Sequence, residues 1–193
     1  MISFTALTLI LSAYLAGSLS GAILAARLFR LPDPRSQGSR NPGATNMYRL
    51  GGLLPAVLTL GIDMLKGAVP AGLARTLELT VLEQSLVGLF AIFGHMLPVF
   101  HSFRGGKGVA TALGVGLALA TWTTILLALI WGMLFWRSKT SSFASLVCAA
   151  LAPIIAWFFN PEYTLLFLLL TPVIVLRHRE NIIKLIRHQE RHF

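Results

Sequence analysis

Apolar residues come in long runs along the chain, at about 4–26, 51–74, 80–100, 109–136, 143–159 and 162–176, and the polar residues gather between them. An α-helix needs about 20 consecutive apolar residues to cross the hydrocarbon core of a bilayer. Most of these runs therefore predict one spanning helix each. The run 109–136 is ambiguous: it suits one long tilted helix or two short ones turning near Ala120–Thr124.

The placement of positive charge decides between them, because short cytoplasmic loops carry an excess of Lys and Arg. With two crossings there are seven spans, and the inside loops hold Arg27, Arg30, Arg35, Arg40 and Arg49, then Arg104 and Lys107, then Arg137 and Lys139. The tail adds Arg177, Arg179, Lys184, Arg187 and Arg191, so that 14 basic residues lie inside against Arg75 alone outside, with Lys66 in a span. A single crossing would leave 7 inside and 8 outside, which is no bias. The predicted fold is thus an all-α integral membrane protein with seven transmembrane helices, N-terminus outside and C-terminus cytoplasmic. One pair of helices is short, reaching only about 20 Å each at 1.5 Å per residue, and should form a dipping hairpin screened from lipid. The opening MISFTALTLILSAYLAGSLSG has no basic segment before its apolar run and reads as a retained first span. Glu78, Glu83 and Glu162 fall in outside loops, and Trp122, Trp136, Trp157 and Tyr163 near span ends, where amphipathic rings favour the interface. Residues 1–193 form one domain. Its tail, 177–193, sets Ile182, Ile183, Leu185 and Ile186 against Lys184, Arg187 and Arg191, the pattern of a basic helix lying on the membrane surface.

Composition agrees. Charged residues make up 12% of the chain, about half the roughly 25% of a soluble domain, and the mean hydropathy is +0.75. A purely soluble enzyme is excluded. The one cysteine, Cys148, rules out a disulfide framework, an iron–sulfur cluster and a cysteine-based zinc site; in the run LVCAALA it reads as a small buried residue. Seven carboxylates are dispersed, so no metal site is expected. The net charge of +9 suits anionic partners, though topology accounts for much of it. Membrane lipid is the expected partner, nucleic acid is not, and the oligomeric state is left open.

The inside loops also collect the small and hydroxylic residues. LPDPRSQGSRNPGATNMYRLGG (31–52) brings Gly38, Ser39, Asn41, Gly43, Ala44, Thr45 and Asn46 between Arg35, Arg40 and Arg49. Such a stretch makes a backbone nest for phosphate, with Thr45-Asn46 opening the second span behind it; a turn-rich loop with topogenic arginines would look the same. In GHMLPVFHSFRGGKGVAT (94–111), Gly105, Gly106 and Gly108 give flexible backbone beside Arg104 and Lys107. The spacing GxxxxGK[ST] is absent, which argues against nucleotide hydrolysis. Ser141 and Ser142 stand at the top of the next span, as helix caps or as site groups. His178 and Asn181, three apart, share a face at the start of the tail helix. Asp63 and Lys66, also three apart within the second span, are either an ion pair under the site or part of it. His95 divides likewise between a buried hydrogen bond and the site, while His101 is interfacial.

Together, GSRNPGATN (38–46), DMLKG (63–67), GHMLPVF (94–100), RGGKGVAT (104–111) and RHRENI (177–182) resemble the bacterial acyl-phosphate:glycerol-3-phosphate acyltransferases, with LPDPRSQ similar to the proteobacterial branch. Arg40 stands where that family usually has Gly, and Arg104 where it more often has Lys. The resemblance implies an enzyme of the bacterial inner membrane with its active site on the cytoplasmic side. It would move a fatty acyl group from acyl phosphate to the 1-hydroxyl of sn-glycerol 3-phosphate, giving lysophosphatidic acid and phosphate without a cofactor. Asn41, Gly43, Ala44, Thr45 and Asn46 would cradle the acyl phosphate. Ser39, Arg49, Lys107, Ser142 (or Ser141), His178 and Asn181 would hold glycerol 3-phosphate. The alternative is a small transporter of organic phosphates, which predicts polar positions reaching the outer face; the outer loops are instead short and acidic.

Overall fold

The computed structural model describes residues 2–190; Arg191, expected in the basic tail, lies outside them. Among the described residues the regular structure is helical, without strands. It forms two compact units, Met1–Leu119 and Ala120–Phe193.

The first unit holds α1 (Phe4–Gly17), α2 (Gly21–Leu28), α3 (Ala44–Gly51), α4 (Leu53–Thr76), α5 (Val81–Met96) and α6 (Val109–Leu119). The first apolar run is therefore two helices. The break falls at Ser18–Ser20, where the Ser20 hydroxyl accepts the Ile23 N–H and so caps α2. Thr45 and Asn46 open the separate short helix α3, not the spanning helix as expected. Gly52, at φ +80°, turns the chain between α3 and α4 in a conformation that favours glycine.

α5 starts with a capping box, in which Thr80 and Glu83 satisfy each other's orphan donors. The Glu83 carboxylate also accepts the Ser3 N–H at 2.7 Å, which ties the start of α1 to the start of α5. Small residues let helices approach closely: a side chain at Gly67 of α4 would strike the Thr111 carbonyl of α6, and one at Gly114 the Met64 carbonyl. Contacts of this kind are the usual basis of helix association in lipid, where burying apolar surface gains little.

The second unit holds α7 (Thr121–Ser138), α8 (Ser141–Phe159), α9 (Thr164–Arg177) and α10 (Arg179–Ile186). Hydrogen bonds link its helices: the Trp131 indole donates to Ser145 at 3.0 Å, and the Thr171 hydroxyl to the Ala149 carbonyl at 2.8 Å. Cys148, half-buried, donates to the Leu127 carbonyl at 3.4 Å. Such bonds contribute about 0.6–2 kcal/mol each in a membrane.

The run 109–136 breaks at Ala120, within the expected window, but its halves are unequal. α6 has 11 residues and α7 has 18, spanning about 16 and 27 Å, so only α6 is short. Four helical stretches, Phe4–Leu28, Leu53–Thr76, Val81–His101 and Ser141–Phe159, are long and apolar enough to cross a membrane. Trp122, Trp136 and Trp157 are exposed, but Tyr163, expected at the interface, is buried at 5% in a 3₁₀ turn, Pro161–Tyr163.

Candidate active site

The loop before α3 is held by one side chain. Asn46 is fully buried. Its Oδ1 accepts the Ser39 N–H at 2.9 Å, while its Nδ2 donates to the carbonyls of Pro34 at 3.0 Å and Gln37 at 3.1 Å. Asn46 was expected to face phosphate. Its polar atoms are instead turned back into the loop, because its place on the first turn of α3 aims it at the preceding chain. Gly38, at φ +63°, leaves the room this requires, since a side chain there would strike Asn46.

With Asn46 turned inward, the outward face of the loop belongs to Ser39, which is exposed, and to Asn41, Gly43, Ala44 and Thr45, which are half-buried. Gly43 is the N-cap of α3, and no side chain caps that helix. The Asn46 and Met47 amides of its first turn donate to the Gly43 carbonyl at 3.0 and 3.1 Å, and the positive end of the helix suits an anion. Arg49, four residues after Thr45, lies on the same face of α3. Arg40 is exposed at φ +58°, in the left-handed region.

The second loop runs from a 3₁₀ turn, Val99–His101, through the left-handed residues Ser102 and Phe103 to Gly108 at φ +84°, where α6 begins. Gly106 is buried and Lys107 half-buried, while Arg104 is exposed. The two loops share an open hollow of about 560 Å³ lined by Asp33, Arg35, Ser36, Ser102 and Arg104, a volume in the range of small-molecule pockets. Arg35 grips Asp33 there through Nε at 3.0 Å and Nη2 at 2.7 Å. These hydrogen bonds hold the Asp33 carboxyl below its ordinary value of 3.8.

Beneath the loops, Asp63 and Lys66 form the ion pair that their spacing allowed, at 2.8 Å with side chains 2% and 5% exposed. His95 is buried as well, but its Nδ1 lies 3.6 Å from Asp63 Oδ1, beyond hydrogen-bond distance, so the buried hydrogen bond expected of it is not the one to Asp63.

In the second unit, Thr140 takes the N-cap position of α8, so neither Ser141 nor Ser142 is the cap residue. The Ser142 hydroxyl is buried and has no hydrogen-bond partner among the described residues, an arrangement that disfavours the fold unless something else bonds it. His178 is 2% exposed and joins α9 to α10. Its Nδ1 lies 2.8 Å from the Ile174 carbonyl. A carbonyl can only accept, so the neutral ring carries its proton on Nδ1. The Asn181 amide donates to Glu190 Oε1 at 2.8 Å, a contact with no signal in the sequence spacing.

A sequence model of the family described as glycerol-3-phosphate acyltransferase matches residues 7–188. The chain belongs to this family. A glycerol-3-phosphate acyltransferase from Hahella chejuensis is 54% identical over 179 residues, which cover 93% of this chain and 92% of that protein. The fold is similar to the crystal structure of PlsY (YgiH), an integral membrane glycerol 3-phosphate acyltransferase, in its glycerol 3-phosphate form. The TM-score is 0.92 at 35% identity, covering 98% of this chain and 96% of that one. The lysophosphatidic acid form of PlsY gives a TM-score of 0.88 at 35% identity, with 98% and 95% covered. Family membership and the apolar helices make this protein an integral membrane acyltransferase.

Proposed function

We propose that the protein transfers a fatty acyl group from acyl phosphate to the 1-hydroxyl of sn-glycerol 3-phosphate, releasing lysophosphatidic acid and inorganic phosphate at the start of phospholipid synthesis. The observation that carries this reading is the first turn of α3: it has no side-chain cap, and Ser39 and Arg49 accompany it. In it, Asn41, Gly43, Ala44 and Thr45 receive the acyl phosphate, with Asn46 bracing them from behind. Ser39, Arg49 and Lys107 receive glycerol 3-phosphate, with Gly105 and Gly106 shaping the backbone beside Lys107. In the second unit, the family resemblance assigns Ser142 (or Ser141), His178 and Asn181 to glycerol 3-phosphate. The unpartnered Ser142 hydroxyl supports that assignment.

The chain then crosses the bacterial inner membrane seven times as one domain. α1 and α2 together make one crossing, and α4 to α9 one each. The N-terminus lies outside, the loops lie on the cytoplasmic side, and 177–193 rests on the membrane surface. The asymmetry of Lys and Arg supports this orientation.

Acyl phosphate is already activated, so the reaction is one displacement. The glycerol hydroxyl oxygen bonds to the acyl carbonyl carbon. The bond from that carbon to the phosphate oxygen breaks, and phosphate leaves with the electron pair and the hydroxyl proton. No covalent enzyme intermediate is required. Holding the hydroxyl within about 3–3.5 Å of the carbonyl supplies several kcal/mol of the barrier, and the cations stabilise charge that develops on the oxygens.

The test is product formation by the purified full chain in detergent, given labelled glycerol 3-phosphate. Labelled lysophosphatidic acid should form with palmitoyl phosphate and not with palmitoyl-CoA. Product from the CoA ester alone would overturn the donor assignment. No product from either, with the helices intact, would overturn the activity and make the transporter the leading reading.

A further inference from the structure

We propose that His95 is a positioning residue for the glycine loop that presents Lys107, and that the buried Asp63–Lys66 pair exists to hold its ring. The inference rests on the assignment of Lys107 to glycerol 3-phosphate made above.

The starting observation is an ion pair with no evident return in stability. Removing two charges from water costs several kcal/mol per ion, and a buried pair is often no more stabilising than apolar residues of the same volume. Asp63 and Lys66 are nonetheless buried in α4. Their other bonds reach the break between α1 and α2. Lys66 Nζ donates to the Leu19 carbonyl at 2.6 Å, and the Gly21 N–H donates to Asp63 Oδ1 at 3.2 Å. These contacts fix Asp63 Oδ1 in place, and the same oxygen lies 3.6 Å from His95 Nδ1, close enough to orient the ring electrostatically though not to hydrogen-bond it.

The opposite edge of the imidazole meets the loop. A side chain at Gly106 would collide with His95 Nε2, and one at Gly105 with the His95 carbonyl oxygen. That carbonyl also accepts the Gly106 N–H at 3.2 Å. The ring is therefore the wall against which Gly106 lies, with Asp63 behind it and Lys107 one residue beyond. A ring that turned away from Asp63 would leave the backbone at Lys107 unsupported. A displacement of that kind moves the Lys107 ammonium off the glycerol 3-phosphate assigned to it, and so weakens the hold on that substrate and not on acyl phosphate.

The test is steady-state kinetics with the full chain in detergent, varying glycerol 3-phosphate and palmitoyl phosphate in turn. His95→Leu should raise KM for glycerol 3-phosphate about tenfold and leave KM for palmitoyl phosphate unchanged. His95→Asn, whose amide nitrogen stands near the Nδ1 position, should recover most of that loss. Asp63→Asn should move the same KM in the same direction. A purely structural role would lower the active fraction, and hence apparent kcat, with both KM values unchanged; that result, or an equal rise in both KM values, would overturn the proposal.

Gly106→Ala gives an independent reading. Alone it should lower kcat/KM by about tenfold or more, and in a His95→Ala background, where the ring is gone, by less than about threefold. Strict additivity would overturn the proposal. If wild-type protein shows no turnover with these substrates, the functional reading has failed, and the positioning is read by amide hydrogen exchange at 105–107. Faster exchange in His95→Leu than in His95→Asn supports it, and equal exchange overturns it.

Discussion

The Asn46 side chain accepts the Ser39 N–H at 2.9 Å, and this one bond decides how the loop before α3 works. It turns an amide that belongs by type to a phosphate cradle into a brace behind the face proposed for phosphate, with the Pro34 and Gln37 carbonyls as its other partners. Asn46→Asp keeps the shape, removes both donors and sets a carboxylate against two carbonyls. Leaving the buried Pro34 carbonyl unsatisfied costs about 1–3 kcal/mol, and the part-buried Gln37 carbonyl adds less. The variant should lose roughly 2–4 kcal/mol of stability together with its turnover, as read by thermal unfolding in detergent and by product formation.

Arg40 holds a left-handed backbone at φ +58° on an exposed turn. A side chain there is disfavoured by about 1–2 kcal/mol relative to glycine, partly offset by the greater freedom of glycine in the unfolded chain. Arg40→Gly should raise stability by about 0.5–1 kcal/mol and leave turnover within about twofold of the parent, since the side chain is exposed. A higher melting temperature with unchanged kcat is the expected pair of results.

Lys66→Met leaves Asp63 buried without its cation and should destabilise by about 3–5 kcal/mol. The double variant Asp63→Asn, Lys66→Met removes both charges and should recover much of that loss. Its unfolding midpoint should lie above that of Lys66→Met alone, and a midpoint at or below it would show that the loss does not come from an unpaired buried charge.

Asp33 gives a pH dependence of known sign. Hydrogen bonds from Arg35 lower its folded value below 3.8, so its contribution to stability is present above that pH and is lost as pH falls through the lower folded value. The pair is largely exposed and its effect correspondingly small. Between pH 5 and pH 3, on the order of the unperturbed carboxylate range, the melting temperature of the parent should fall slightly more than that of Asp33→Asn.

Much of this was legible in the sequence, and what was missed has physical causes. A break near Ala120 was expected once the distribution of Lys and Arg favoured two helices over one in the run 109–136. The break at Ser18–Ser20 did not, since serines and glycines inside an apolar run barely alter hydropathy; the signal was Ser20 before Gly21, a cap residue at a helix start. Asp63 and Lys66 were recognisable as a pair from their spacing, but His95 joins them only through tertiary packing. The residue types around Asn46 led to the expectation of an anion-binding loop. An amide that can donate and accept does not reveal from sequence whether it faces a ligand or its own backbone.

The most direct measurement of the central claim is the initial rate of inorganic phosphate release from palmitoyl phosphate, with and without glycerol 3-phosphate, for the parent protein and Lys107→Ala. Release should require glycerol 3-phosphate in the parent. In Lys107→Ala it should fall by about a hundredfold or more, with the helical content unchanged. Release independent of glycerol 3-phosphate, or a Lys107→Ala rate equal to that of the parent, would contradict the account.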